Sequence, residues 1–190
     1  YFRPATLNDR HLMYRVARDI NVGAIASSPK LSMDQDAMLS LMIPPRSGRG
    51  WEHTRRCSHI MALVDNSLRE DCTFIVAAIG KCPELYLSTF GDGDSPPSFR
   101  LTQNERENPL IAMAFLETKS QDAHLGAPCF ANSKRLRGSL PFARLLLSAV
   151  YDVGHIGPCE AYRYFAEEVQ TNPLVVSLAF ERCKGSSKSY

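Results

Sequence analysis

The chain has 190 residues, a length typical of one domain that buries its own core without disulfide or metal staples. Hydrophobic residues make up 44% and charged residues 22% of the sequence, which excludes a disordered or fibrous chain. The formal net charge of +2 provides no broad basic field. We therefore expect no nucleic-acid partner, and any anion site must be local.

The sequence also predicts a cytoplasmic protein without a membrane partner. No uninterrupted apolar stretch approaches the roughly 18 residues of a membrane span, and the first residues lack the order of a signal peptide. A secreted form whose signal was removed stays an alternative, because the number of cysteines is even. None of the six forms a C-x-x-C pair, which argues against a zinc cage and a dense disulfide framework: Cys57, Cys72, Cys82, Cys129, Cys159 and Cys183.

A first helix is predicted near the N-terminus, capped by Asn8 or Asp9 and closed by Gly23. The apolar residues of this stretch recur at helical spacing: Leu12, Met13, Val16, Ala17 and Ile20.

A second helix is predicted through residues 33–42, with Ser32 as its cap. Pro44 and Pro45 must end it, because proline lacks the backbone donor and crowds the preceding turn. Residues 46–56 are polar, basic and rich in glycine, and this composition predicts an exposed loop.

Four short apolar runs predict the strands of a central sheet. Each has the length of a strand and is bounded by turn residues, and β-branched or aromatic side chains recur in them. They span residues 59–65, 73–79, 84–90 and 110–117. The segment 91–108 is dense in Gly, Pro, Asp and Asn and predicts a long loop. Beyond residue 130 the pattern becomes helical, so the sequence predicts an α/β or α+β domain.

The stretch RLRGSLPFARLLLSAVYDVG, residues 135–154, predicts either an anion site or an ordinary capped core helix. A strand ending near Phe130 would lead into a helix that starts at about Ser139. Ser139 can cap that helix, and Pro141 fits its first turn. The free N–H groups and the helix dipole favour an anion there. Preceding residues could add charge and allow a diphosphate close to the backbone: Lys134, Arg135, Arg137 and Gly138.

Three segments resemble the GNAT superfamily of acyl-coenzyme A dependent N-acetyltransferases. FRPATLNDRHLMYRVARD (2–19) is similar to the family's first strand and helix, and residues 135–154 are similar to its pyrophosphate loop and following helix. TNPLVVSLAFERCKG (171–185) is similar to its terminal segment. The resemblance implies a single domain over residues 1–190, with a mixed, mostly antiparallel central sheet flanked by helices.

The resemblance also implies a binding site for acetyl-coenzyme A as co-substrate. Asn172 would contact the pantetheine arm, and Phe180 stands where the family usually has a tyrosine that acts as general acid. The remaining residues of the implied site would hold the pyrophosphate: Arg135, Arg137, Gly138, Ser139 and Leu140.

The implied reaction is transfer of an acetyl or acyl group to a primary amine by direct attack on the thioester. Glu117 would act as base, and Tyr162 or Tyr164 would supply the phenol that Phe180 lacks. The acceptor would be a small-molecule or peptide amine, and the chain could form a homodimer.

Two other functions fit the sequence. Cys72 could act as the nucleophile of a hydrolase with His124 or His155 as its base. Alternatively, a non-catalytic α/β module could bind a partner through a basic loop that contains Arg46, Arg49, Arg55 and Arg56.

The histidines and the cysteine near residue 55 do not predict a metal site. His53, Cys57 and His59 carry metal-capable donors, but their H-x-x-x-C-x-H spacing matches no common zinc signature. No fourth ligand is apparent in the sequence, so no metal is expected.

The acetyltransferase hypothesis predicts that acetyl-coenzyme A raises the melting temperature of the protein. Gly138→Glu should abolish the shift, since it places a carboxylate and added bulk in the loop. Thermal unfolding with and without the coenzyme tests this, and the absence of a shift at millimolar coenzyme would exclude the hypothesis.

Overall fold

The structure is a computed structural model that describes residues 9–43, 50–87, 99–118, 130, 133–148 and 158–186. Every regular element within these residues is a helix, and none of them forms a strand. The predicted α/β class, with its mixed, mostly antiparallel GNAT-like sheet, is therefore wrong. The chain divides into two compact units, Tyr1–Leu101 and Thr102–Tyr190. The expectation of a single domain stays a prediction.

The first unit consists of short helices. In chain order they are α1 Arg10–Asp19, a 3₁₀ helix Val22–Ser27, α2 Pro29–Ser32, α3 Gln35–Leu41, α4 Gly50–Leu63, α5 Asn66–Arg69, α6 Cys72–Lys81 and α7 Glu84–Leu87. Four of them begin after an aspartate whose carboxylate accepts a hydrogen bond from a backbone N–H of the first turn: Asp9, Asp34, Asp65 and Asp71. These caps satisfy donors that a helix start leaves without an intrahelical partner.

The N-terminal predictions are confirmed in outline. Asp9 caps α1 as expected, although the helix ends at Ile20 rather than at Gly23. The second predicted helix is present as α3, but its cap is Asp34, and Ser32 ends the preceding short helix. Pro44 and Pro45 lie outside the described residues. The predicted loop 46–56 is corrected where it is described, because residues 50–56 belong to α4.

The apolar runs that predicted strands are buried helices. Residues 73–79 lie within α6, where Phe74, Ile75, Ala78 and Ile79 are buried at the spacing of one helix face. Residues 59–63 lie in α4, and 84–87 form α7; the rest of the 84–90 run lies outside the described residues. Because nearly every residue of such a run is apolar, although one face alone is fully buried, no polar face reveals its helical period and its composition resembles that of a core strand.

The same explanation applies to residues 110–117 in the second unit. They lie in a helix, α9, that begins at Pro109 after the cap Asn108, and five of its residues are buried. The unit's helices are α8 Gln103–Arg106, α9 Pro109–Glu117, α10 Lys134–Arg137, α11 Leu140–Ser148, α12 Pro158–Tyr164, α13 Glu167–Gln170 and α14 Pro173–Ser186. Helix α11 packs against α9, α12 and α14.

An aromatic cluster forms part of the core of the second unit. Phe142 lies in α11, and its ring centroid is 5.4 Å from that of Phe130 and 6.2 Å from that of Phe165. All three side chains are buried. Phe130 has helical backbone and is not the end of a strand. Within the described residues, no helix combines the length and the apolar character needed to cross a bilayer.

Replacement of Phe142 by alanine should lower the free energy of unfolding by about 3–5 kcal/mol, because it leaves a cavity between two aromatic rings. Leu145→Ala, at a 40% exposed site of the same helix, should cost at most about 1 kcal/mol. Denaturant unfolding of both variants measures the difference. Equal losses would show that Phe142 is not a core residue.

Candidate metal centre

Helix α4 places two metal-capable side chains on one of its faces. His53 and Cys57 are four residues apart, a spacing that puts side chains one above the other on a helix. The Cys57 side chain is fully buried, and its Sγ lies 3.7 Å from the carbonyl oxygen of Met42. His53 is half-buried. The pair therefore faces the interior of the first unit.

A third donor comes from the end of helix α6. Cys82 is the C-cap residue of α6, and its backbone N–H donates to the carbonyl of Ala78 at 2.9 Å. Its side chain is fully buried. The ligand atoms of His53, Cys57 and Cys82 all lie within 4.8 Å of one another. Folding thus brings a histidine and a cysteine of α4 together with a cysteine at the end of α6.

The spacing of these atoms suits a tetrahedral metal ion. The two ring nitrogens of His53 lie 3.6 and 3.7 Å from the Sγ of Cys57. Zinc bonds of about 2.3 Å to sulfur and about 2.0–2.1 Å to nitrogen, at a tetrahedral angle, separate two such ligands by about 3.6 Å. The His53–Cys57 spacing is therefore that of two ligands on one ion, but the two nearly equal nitrogen distances mean that the imidazole must rotate to direct one nitrogen at an ion shared with the sulfur.

Glu84 lies beside the cluster. It begins α7, two residues after Cys82, and the Cys82 thiol donates a hydrogen bond to its Oε2 at 3.3 Å. The hydrogen bond with Cys57, burial and the charge of Glu84 together raise the pKa of the Cys82 thiol far above its usual range. In this state the sulfur keeps its proton, and that proton lies between sulfur and carboxylate.

The sequence pattern included one residue that does not belong to the cluster and missed another that does. His59 is exposed, and it is two residues beyond Cys57, which places it on the opposite side of α4. Cys82 was missed because the preceding run was interpreted as a strand. The signal that could have found it is Asp71, a helix cap directly before that run.

The implied coenzyme loop is a turn between two helices of the second unit. Ser139 caps α11 as predicted, because its Oγ accepts from the N–H of Phe142 at 3.2 Å. The backbone N–H groups of Gly138 and Ser139 donate to the carbonyls of Lys134 and Leu136 at 3.0 and 3.1 Å. These two N–H groups are therefore already hydrogen-bonded within the chain.

The other implied coenzyme ligands are spread around this turn. Arg135 lies 3.5 Å from the amide oxygen of Asn104, and Arg137 donates to the carbonyl of Tyr164 at 2.8 Å. Phe180 is 59% exposed. Leu140 and Asn172 line a common open groove of about 490 Å³, together with Pro141, Arg144, Leu145, Ser148 and Leu174. Coenzyme binding stays a prediction.

The implied catalytic residues do not line that groove. Glu117 is the exposed last residue of α9, not the end of a strand. The Tyr162 hydroxyl donates to the carbonyl of Gln170 at 2.6 Å. The Tyr164 ring packs against Phe130 with 5.6 Å between centroids. Each of the two tyrosines thus has a structural contact within the second unit.

Of the residues named by the cysteine-hydrolase hypothesis, the structure describes only the cysteine. Cys72 is the first residue of α6 and is half-buried, whereas His124 and His155 lie outside the described residues. Among the other cysteines, Cys57 and Cys82 are free thiols, and Cys183 forms a disulfide whose partner side chain lies outside the described part of the chain.

Of the four arginines named by the basic-loop hypothesis, the structure describes two. Arg46 and Arg49 lie outside the described residues, and Arg55 is exposed on α4. Arg56 instead donates hydrogen bonds to main-chain carbonyls near the ends of α1 and α3, those of Ala17, Arg18 and Leu41. Arg56 therefore helps to hold helix ends together.

Comparison with known proteins gives no family assignment: no family model matches the chain, and no similar curated protein or solved structure was found.

The burial of the cluster predicts a fixed order of thiol alkylation in the metal-free folded protein. Cys72 should react with a maleimide well before Cys57 and Cys82, because the latter two are fully buried and carry no exposed thiolate. Peptide mass spectrometry after timed labelling measures the order, with urea-unfolded protein as the control in which all three react. Labelling of Cys57 as fast as Cys72 would contradict the described burial.

Proposed function

We propose that the first unit binds a Zn²⁺ ion through His53, Cys57 and Cys82. The observation that carries the proposal is the meeting of one imidazole and two thiols, with ligand atoms within 4.8 Å of one another, in a largely buried place. Two sulfur ligands and one nitrogen ligand are typical of zinc proteins, whereas magnesium and calcium prefer oxygen.

The bound ion would tie the middle of α4 to the end of α6. These segments are connected through α5 and the body of α6, so a bond from both cysteines to one ion closes a loop of about 25 residues. Loop closure of this kind stabilises the folded chain mainly by restricting the unfolded one. Because the ligands are not assembled in the unfolded chain, the free energy of metal binding becomes free energy of folding. The proposed role of zinc is structural.

The wild-type chain, reduced and freed of metal, should bind one equivalent of Zn²⁺ and unfold at a higher temperature when loaded. At a free zinc concentration 100 times the Kd, the added stability is about 2.7 kcal/mol. Competition with a chromophoric chelator measures the affinity, and calorimetric melting measures the stability. A reduced, folded protein that binds no Zn²⁺ at micromolar concentration would refute the proposal.

Matched variants distinguish these ligands from other residues of the same type. Cys82→Ala and His53→Ala should each weaken zinc binding by more than about 100-fold, since even the loss of a residue that only orients a ligand costs about 10–100-fold. Cys72→Ala and His59→Ala should leave the affinity unchanged, because neither residue belongs to the cluster. Equal losses in both sets would mean that the metal binds elsewhere.

Acyl transfer from acetyl-coenzyme A stays a prediction of the sequence resemblance. The described residues favour metal binding instead, because three donors of the required chemistry meet in the structure. Of the residues implied for the coenzyme, Leu140 and Asn172 line the groove beside α11.

A further inference from the structure

We infer that Glu84 is the fourth ligand of this metal centre, so that four protein side chains enclose the ion and no position stays open for substrate or water. The inference rests on the proposed zinc site and adds to it the complete ligand set, and with it the class of site. Zinc held by four protein ligands is typical of structural sites, whereas a catalytic zinc keeps one position for water.

The chain segment Cys82-Pro83-Glu84 positions the carboxylate. Cys82 ends α6, Glu84 begins α7, and the turn between them is held by hydrogen bonds from the N–H groups of Leu85 and Tyr86 to the carbonyls of Cys82 and Pro83, at 3.1 and 2.9 Å. This geometry brings Oε2 of Glu84 to 3.3 Å from the sulfur of Cys82. Glu84 lies beside Cys82 but outside the set of three donor atoms within 4.8 Å of one another, so a change of its side-chain rotamer must bring the carboxylate to an ion bound to that sulfur.

The measured separation is also close to that of two ligands on one ion. Zinc bonds of about 2.3 Å to sulfur and about 2.0–2.2 Å to oxygen place the two atoms about 3.6 Å apart at a tetrahedral angle. The observed 3.3 Å between sulfur and oxygen is close to that separation. When Zn²⁺ binds, the thiol proton is released to solvent, and a rotation of the half-buried Glu84 side chain brings the carboxylate toward the ion.

Other described donors nearby fit the fourth position less well. His59 is exposed on the opposite side of α4. The carbonyl of Met42 is 3.7 Å from the Cys57 sulfur, but it is neutral. Two thiolates and a nearby carboxylate without an intervening cation would repel one another in a buried place, and direct coordination of the carboxylate removes that repulsion.

Cobalt(II) can report the ligand set, because its visible bands depend on geometry and its near-ultraviolet charge-transfer band depends on bound thiolates. We expect the Co²⁺-loaded wild-type chain to show a tetrahedral spectrum that added azide does not change, since no position is open. Glu84→Ala should keep the thiolate band, respond to azide, and bind Zn²⁺ more than about 100-fold more weakly, since loss of a residue that only orients a ligand costs about 10–100-fold. Glu84→Asp tests whether a carboxylate on a shorter side chain still reaches the ion. Glu70→Gln, at an exposed acidic residue of the same unit, is the control and should match wild type.

The outcomes separate this inference from the zinc site itself. If the wild-type chain shows no thiolate-to-cobalt band, the zinc site and the inference both fail. If the band is present but azide changes the wild-type spectrum, or if Glu84→Ala matches wild type in spectrum and affinity, the zinc site stands and Glu84 is not a ligand. Circular dichroism of each metal-free variant establishes that it is folded. Should Glu84→Ala not fold, the azide response of the wild-type chain decides the matter alone.

Discussion

The structure depends on the way its short helices begin. Isolated helices of this length are unstable in water, because the cost of nucleation is recovered only over many residues. Here a side-chain oxygen often accepts from the first turn, as Asp71 does from Thr73 and Asn108 from Leu110. Each cap contributes about 1 kcal/mol and fixes the residue at which the helix starts. Burial of one apolar face then holds the helix in place.

The candidate metal centre follows from that constraint. Asp71 sets the start of α6, and ten helical residues later the chain arrives at Cys82 as the C-cap. A strand with the same number of residues would be about twice as long as the helix, since the rise per residue is about 3.3 Å in a strand and 1.5 Å in a helix. The short rise of α6 therefore contributes to bringing Cys82 to Cys57.

Much of the local structure could be predicted from the sequence. The caps Asp9 and Ser139 are visible as polar residues before apolar periodicity, and the structure has both helices. The interior of the fold was harder to predict, because α9 is apolar on nearly all sides and has no period that distinguishes a buried helix from a strand. The error in these central runs changed the fold class from helical to α/β.

The candidate site likewise has a local part that the sequence shows and a part that depends on tertiary packing. His53 and Cys57 are visible in the sequence as donors at helical spacing, and that part of the cluster is local. Cys82 and Glu84 join it through tertiary packing, which no spacing rule reports. The resemblance to acetyltransferases directed attention to the second unit, where the expected loop is a turn whose N–H groups bond to α10.

The chemistry of the cluster gives the final reason to connect it with a metal. The thiols of Cys57 and Cys82 converge here with the carboxylate of Glu84, and each thiol donates its proton to an oxygen, that of Cys57 to the Met42 carbonyl and that of Cys82 to Glu84. Buried acceptors without donors are costly, and in the metal-free state the Cys82 thiol supplies the proton that the Glu84 carboxylate accepts. A divalent cation can replace those protons and satisfy the same lone pairs with shorter, stronger bonds. Both states are compatible with one fold, because the three donor atoms already lie within 4.8 Å of one another and rotation of side chains is enough to direct them at one ion.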